Sequence, residues 1–302
     1  MQTLETIRDY IRWGASQFSE AKLFHGHGTA TAIDDAAALV LHSLHLPYDL
    51  AECYFSSKLT QAEREKITQL INRRVKERIP SAYLTNEAVF SGLKFYVDQR
   101  VLVPRSPFAE IIQEQFAPWV DPDQVHHILD LCTGSACIAI ACAYAFPDAQ
   151  VDAVDLSADA LDVAKINVAQ HELEERLSLN QSDLFTALPA QKYDLIVSNP
   201  PYVAISEWQQ LPDEFHAEPE MGFTGGESGL DLVIKILVNA ADYLTEQGIL
   251  IIEVGSSAET LQTQFPNIPF YWLEFEKGGD GVFLLTAEQV FTFNEQFKQA
   301  LG

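Results

Sequence analysis

Apolar side chains in the first 84 residues recur at helical spacing. Leu4, Ile7, Ile11 and Phe18 mark one amphipathic helix, and Ala36, Leu39, Val40 and Leu44 mark a second behind Asp34 and Asp35. A third has sharper limits. Thr60-Gln61-Ala62-Glu63 reads as a capping box, Ile67, Leu70, Ile71, Val75 and Ile79 follow on one face, and Pro80 stops the run. The other face carries Arg73, Arg74, Lys76 and Arg78. A solvated surface explains these charges, as does contact with an acidic partner or with the acidic remainder of the chain. Residues 86–103 (NEAVFSGLKFYVDQRVLV) turn to aromatic and β-branched side chains around Gly92 and predict a short hairpin. Ser106-Pro107 then opens a helix by N-cap and first-turn proline.

From residue 125 strand and helix patterns alternate. The apolar runs HILDLC, QVDAVDL, LSLNQSD, YDLIVSN and GILIIEV are separated by helical stretches at 135–146, 157–171, 231–246 and 257–265. Such alternation predicts an α/β fold, a parallel sheet covered by helices on both faces. FYWLEFEKGGDGVFLLT reads as two strands about a Gly-Gly-Asp-Gly turn, an antiparallel pair closing the sheet edge. The expected organisation is a helical N-terminal domain over 1–85, a hairpin linker over 86–106 and an α/β domain over 107–302.

Composition narrows the partners. The chain of 302 residues is 47% hydrophobic and 21% charged, with a formal charge of -24. Residues 1–84 carry ten basic and ten acidic side chains, so the whole excess lies in residues 85–302. A field of that sign argues against DNA and against any partner held mainly through phosphates. Apolar runs such as CIAIACAYAF at 137–146 are too short for a membrane span, and MQTLETIRDYIRW has no signal-peptide core. A cytoplasmic protein without membrane contact is expected. Cys132, Cys137 and Cys142 lack C-x-x-C spacing and Cys53 stands apart, which predicts small thiols and no metal site.

Ligands of an open α/β sheet sit beyond the carboxyl ends of its strands. The first such end is Asp130-Leu131-Cys132-Thr133-Gly134-Ser135-Ala136, a tight turn whose small side chains let a ligand approach a helix N-terminus. The second strand ends at Asp155, 21 residues after Gly134, close to the spacing at which a carboxylate binds ribose hydroxyls, and Asp183 follows the third strand. A G-x-G-x-x-G cradle is absent, with Ala136 at its second glycine. Three carboxylates around one pocket, Asp130, Asp155 and Asp183, suit a sulfonium cation better than a phosphate. The pattern favours S-adenosylmethionine over NAD as cofactor.

The fourth strand runs into Asn199-Pro200-Pro201-Tyr202. Two prolines stiffen the loop and remove its N–H donors. The Asn199 side-chain oxygen and the Pro200 carbonyl can each accept one hydrogen of a planar NH2 group. Tyr202 offers a ring face that favours developing positive charge. No histidine, His171 and His216 included, forms a defensible nucleophile-base pair, and Gly225-Gly226 reads equally as a mobile flap or an exposed turn.

The set DLCTGSACIAI, VDAVDLS, SDLF and NPPYV resembles that of class I methyltransferases acting on a planar amino group, in a DNA base or in the side-chain amide of a protein glutamine. RIPSAYLT at 78–85, FYVDQRVLVPRSP at 95–107, GGESGLDL at 225–232 and FEKGGDGVFLLT at 275–286 are similar to the protein-glutamine branch. Within it, IRWGASQF at 11–18, GHGT at 26–29 and PRSP at 104–107 resemble members acting on ribosomal protein L-three of the large subunit. Members acting on peptide chain release factors carry a PRPETE-like segment where this chain reads PRSPFAE, and a DNA amino-methyltransferase would need a basic surface that is missing. The resemblance implies a Rossmann-like mixed seven-stranded sheet with a small helical domain and hairpin linker before it. It implies that Cys132, Thr133, Gly134, Ser135, Ala136 and Asp155 hold the methionine and ribose parts of S-adenosylmethionine, with Asp183 and Leu184 beside adenine. It also implies that Asn199, Pro200, Pro201 and Tyr202 hold the glutamine, with Asn199 touching cofactor as well, and that Asn199, Pro200 and Tyr202 are catalytic. The charge asymmetry adds an expected partner: the ribosomal protein free or in early assembly, with ribosomal RNA possible near the basic helix face.

Overall fold

The computed structural model describes residues 4–276 and 278–301; Lys277, inside the predicted final turn, and residues 1–3 of the first segment lie outside the described residues. Helices α1 (Ile7–Glu20), α2 (Ala32–Ser43), α3 (Gln61–Glu77) and the short α4 (Ser81–Thr85) form the N-terminal region. Thr6 with Asp9 and Thr60 with Glu63 make reciprocal capping boxes, and the Thr31 hydroxyl caps α2. Phe18, Leu39, Ile67 and Ile71 are buried between the helices. A Cβ on Gly14 would stand 2.9 Å from Ile71 and 3.1 Å from Ala36, so glycine there sets how closely the helices approach.

The basic face of α3 departs from the solvated reading. Arg74 is buried; its Nε donates to Asp35 at 3.0 Å and its guanidinium to the Phe24 carbonyl at 2.9 Å. Asp35 also meets His25 at 3.1 Å and accepts from Ser81. Arg78 ends α3 in a left-handed conformation and donates to Glu214 at 2.8 Å. Of the four cations only Arg73, paired with Glu77, and Lys76 remain on the surface.

The hairpin is shorter than its sequence suggests. Strands β1 (Ala88–Phe90) and β2 (Leu93–Phe95) turn at Ser91-Gly92, and the chain then runs irregularly to α5 (Phe108–Gln113), where Ser106 Oγ accepts from Phe108 N at 3.1 Å.

The main sheet follows as β3 (His127–Leu131), α6 (Cys137–Ala145), β4 (Gln150–Asp155), α7 (Ala158–Gln170), β5 (Leu177–Gln181), β6 (Tyr193–Ser198), α8 (Ile205–Trp208), α9 (Asp231–Ala240), β7 (Leu244–Glu253), α10 (Ala258–Gln264), β8 (Tyr271–Trp272), β9 (Val282–Thr286) and α11 (Ala287–Ala300). Strand order is β5-β4-β3-β6-β7-β9-β8, with β9 antiparallel to both neighbours. Side chains of α5, α6 and α7 cover one face and those of α9, α10 and α11 the other. The helix expected over 231–246 stops at Ala240, because Leu244 already pairs with Tyr193 ahead of a register shift in β7. The closing helix α11 follows β9 directly, beyond the last strand that the sequence pattern predicts. After β5 the chain crosses to the other side of β3, so the β3/β6 junction is where strand order reverses. Among the described residues no helix is long and apolar enough to cross a membrane, and no three His, Cys, Asp or Glu side chains converge as for a metal.

Candidate functional site

Beyond the carboxyl ends of β3 and β6 opens a cavity of about 880 Å³. Its floor is the turn after β3, where Cys132, Gly134 and Ala136 all adopt positive φ (60°, 56° and 63°). A Cβ on Gly134 would meet nothing within 4 Å, which leaves the backbone there open to the cavity. Cys132, Thr133, Gly134 and Ser135 line it. Asp130 and Ala136 do not. Asp130 is fully buried beneath the turn, accepting from Thr133 Oγ1 at 2.5 Å and Ala139 N at 3.1 Å, and burial pushes its carboxyl up to about 7. It shapes the turn. Ala136 is packed in the core and contributes only its left-handed backbone, the physical reason a glycine suits that position.

Asp155 ends β4 at the cavity wall. One of its oxygens accepts from Gly134 N and the other from Ser157 N, both at 2.8 Å, and each keeps acceptor capacity for a ligand hydroxyl. Burial raises its carboxyl in spite of these bonds. Asp183 and Leu184 line the same wall. Of the three carboxylates assigned to the pocket, Asp155 and Asp183 therefore face it and Asp130 does not.

Ser198, the last residue of β6, donates to the Leu131 carbonyl at 2.8 Å and ties the strands at the reversal. Asn199 follows half-buried, lining the cavity, and no described residue hydrogen-bonds its side chain or the Pro200 carbonyl. Both acceptors are free. Behind them the loop is braced: Val203 N donates to Phe223 O at 2.8 Å and Gly225 N to Val203 O at 3.0 Å. A Cβ on Gly225 would fall 2.5 Å from Pro201 O, and one on Gly229 would fall 2.1 Å from Tyr202 O. The Gly225-Gly226 stretch is not an exposed turn: Gly225 is buried and packed against the loop it supports.

Tyr202 lines the cavity with its hydroxyl donating to Glu253 at 3.0 Å. Sequence reasoning missed Glu253. Its signal was a carboxylate closing the apolar run GILIIEV, the place Asp155 holds in QVDAVDL. The segment after the loop completes the wall with Leu211, Phe215, Met221 and Phe223. Buried Glu218 anchors that segment to residues upstream, reaching His27 and Arg105 at 2.9 Å and accepting from Val103 N at 2.8 Å. Burial works against its charge, yet His27 and Arg105 hold its carboxyl below the usual range. The Arg105 guanidinium also lies 5.4 Å and 5.5 Å from the Phe215 and Phe223 ring centres. His171 and His216 pack on Tyr144 and Trp208, away from this chemistry.

The lining fits S-adenosylmethionine: an open backbone turn for its methionine part, a half-buried carboxylate with spare acceptor capacity for its ribose, and more acid than base around the cavity, with Asp155, Asp159, Asp183, Glu253 and Asp280 against Arg100 and Arg105.

Comparison with known proteins points the same way. Residues 110–217 match the family model of the methyltransferase small domain. The chain is 49% identical over 292 residues to the ribosomal protein uL3 glutamine methyltransferase of Bordetella pertussis, covering 96% of this chain and 98% of that protein. It is 50% identical over 291 residues to the protein of the same name from Neisseria meningitidis, covering 96% and 95%. Among solved structures, the hMettl16 catalytic domain in complex with the MAT2A 3'UTR hairpin 6 shares the fold, with a TM-score of 0.51 at 16% identity over 75% of this chain and 81% of that one.

Proposed function

Because this chain belongs to the family of ribosomal protein uL3 glutamine methyltransferases, we propose that it methylates the side-chain amide nitrogen of a glutamine in uL3 of the large ribosomal subunit. One observation carries the reading at the level of residues: the acceptors Asn199 Oδ1 and Pro200 O belong to consecutive cavity-lining residues, and no described residue hydrogen-bonds either. An amide NH2 is planar and presents two hydrogens, so two fixed acceptors hold it in one orientation.

S-adenosylmethionine, when bound, supplies an electrophilic methyl group. The chain's own residues supply position. Cys132 to Ser135 would hold the methionine part through the open turn, Asp155 the ribose hydroxyls, and Asp183 with Leu184 the adenine. An amide nitrogen is a weak nucleophile because its lone pair is delocalised into the carbonyl. Asn199 and Pro200 offset this by holding it near attack distance, about 3–3.5 Å, where orientation contributes roughly 7–11 kcal/mol. The Tyr202 ring face favours the charge that develops on nitrogen. No strong base is needed, since the nitrogen becomes acidic only after methylation.

The substrate form we favour is free or early-assembling uL3, in the cytoplasm. A catalytic region carrying the whole charge of -24 attracts a basic protein and repels the phosphate surface of a finished ribosome. With Arg74 and Arg78 engaged inside the molecule, only Arg73 and Lys76 of the four cations on that face are left for contact with nearby ribosomal RNA. The test is tandem mass spectrometry of uL3 and of release factors after incubation with isotope-labelled cofactor. The label is expected on one uL3 glutamine; label on release factors alone would contradict the substrate.

A further inference from the structure

Glu253 takes no part in the scheme above, yet it joins three parts of the cavity wall. It ends β7 and is 5% exposed. Tyr202 Oη donates to one of its oxygens at 3.0 Å and Ser106 Oγ donates to the other at 2.5 Å. These donors are 51 and 147 residues away, in the loop that carries Asn199 and in the segment joining the N-terminal helices to the sheet. Gly255 packs closely on the Tyr202 ring, where a Cβ would stand 2.5 Å from Cε2. Ser106 Oγ in turn accepts from Phe108 N, so its single proton is free to point at Glu253. A donor on each oxygen is the arrangement that an ionised carboxylate satisfies. Once protonated, one oxygen would set its own hydrogen against a donor.

We propose that Glu253, as the anion, is a positioning residue for the methyl transfer, fixing Tyr202 against the substrate amide while it pins Ser106 of the joining segment. The proposal rests on the glutamine methylation reading above. Among the described residues, three charged or titratable groups act on Glu253: the Tyr202 phenol, Arg105, which favours the anion, and Asp280, in the turn before β9, which opposes it. Burial outweighs the favourable contacts and pushes the carboxyl up to about 7. Acidification through that region protonates Glu253, releases one of its two donors and lets the Tyr202 ring shift. The cofactor wall is built from the ends of β3, β4 and β5 and includes neither Ser106 nor Tyr202, so its affinity does not follow the titration of Glu253.

The experiment is the pH profile of kcat on uL3 at saturating cofactor for wild type, Glu253→Gln and Ser106→Ala, with cofactor Kd and melting temperature measured alongside. Wild type should gain rate with rising pH through about 7. Glu253→Gln should lose about 10- to 100-fold in kcat, as a misplaced group does, and lose the acid limb while its cofactor Kd stays unchanged. Ser106→Ala should keep the limb and move it to higher pH, because the anion has lost a donor; this variant carries the test even if Glu253→Gln folds poorly. A Glu253→Gln enzyme with wild-type rate and limb, a Ser106→Ala limb that stays in place, or an active wild type with a flat profile would each overturn the inference alone. A wild type that binds cofactor and methylates no glutamine would overturn the functional reading, and the inference with it.

Discussion

Asp155 separates cofactor binding from chemistry at the scale of single residues. It already accepts two backbone N–H groups, and the capacity left over is what a ribose would use. Each charge-assisted hydrogen bond is worth about 1.5–3 kcal/mol. Asp155→Ala is therefore expected to weaken S-adenosylmethionine binding at least about tenfold by calorimetry, with kcat at saturating cofactor affected far less; an unchanged Kd would remove Asp155 from the site. Residues whose chemistry is local were legible in the sequence. Asn199 to Tyr202 carry their stiffness and their lack of donors in four consecutive letters, and Asp155 stands at a fixed distance from Gly134. Asp130 and Ala136 were misplaced for a reason of the same scale: the left-handed backbone of the turn, which sequence does not display, sends one beneath the floor and the other into the core.

Elements decide whether those residues stay where the chemistry needs them. The loop after β6 contains its own stiffening prolines but relies on residues 223–229 for a backstop, with Gly225 and Gly229 where any Cβ would strike backbone oxygen. Gly225→Ala introduces a contact of 2.5 Å to Pro201 O, overpacking of a kind that costs about 1–3 kcal/mol. The variant should melt several degrees lower and lose kcat while keeping its cofactor Kd, and a variant with wild-type kcat would show that the backstop does not position the loop. Periodicity located most helices and strands. It failed where partners far along the chain decide: Tyr193 draws Leu244 into β7 and cuts α9 short, and Asp35 draws Arg74 out of a face that looks solvated. Glu253 escaped notice likewise, since nothing near it in sequence reveals that Ser106 and Tyr202 converge on it.

Across the whole molecule the N-terminal helices and the α/β region are joined by buried charge. Glu214 receives Arg78 and the Phe24 amide, and Glu218 receives His27 and Arg105, so the wall beside the cavity mouth is anchored from the opposite end of the chain. The uncompensated acidity stays with residues 85–302 and sets the long-range field. That field acts over about 8 Å at physiological salt. Methylation of free uL3 should accordingly slow several-fold in kcat/KM as salt is raised, and finished undermethylated ribosomes should be poorer substrates than the free protein. Faster reaction on finished ribosomes, or no salt dependence with free uL3, would contradict the electrostatic part of the account. The charge asymmetry was countable from sequence; the internal engagement of Arg74 and Arg78 was not, because it depends on Asp35 and Glu214 folding against them.

The central claim is that Asn199 and Pro200 orient a glutamine amide of uL3 for methyl transfer, and single-turnover methylation followed by residue-level mass spectrometry tests it most directly. Wild type is expected to place one methyl group on a glutamine side-chain nitrogen. Asn199→Ala is expected to bind S-adenosylmethionine with little change and to transfer the methyl at least about 10²-fold more slowly, the effect of removing one well-placed polar partner from a reacting group. Methylation of another residue type by the wild type, or an Asn199→Ala rate close to that of the wild type, would contradict it.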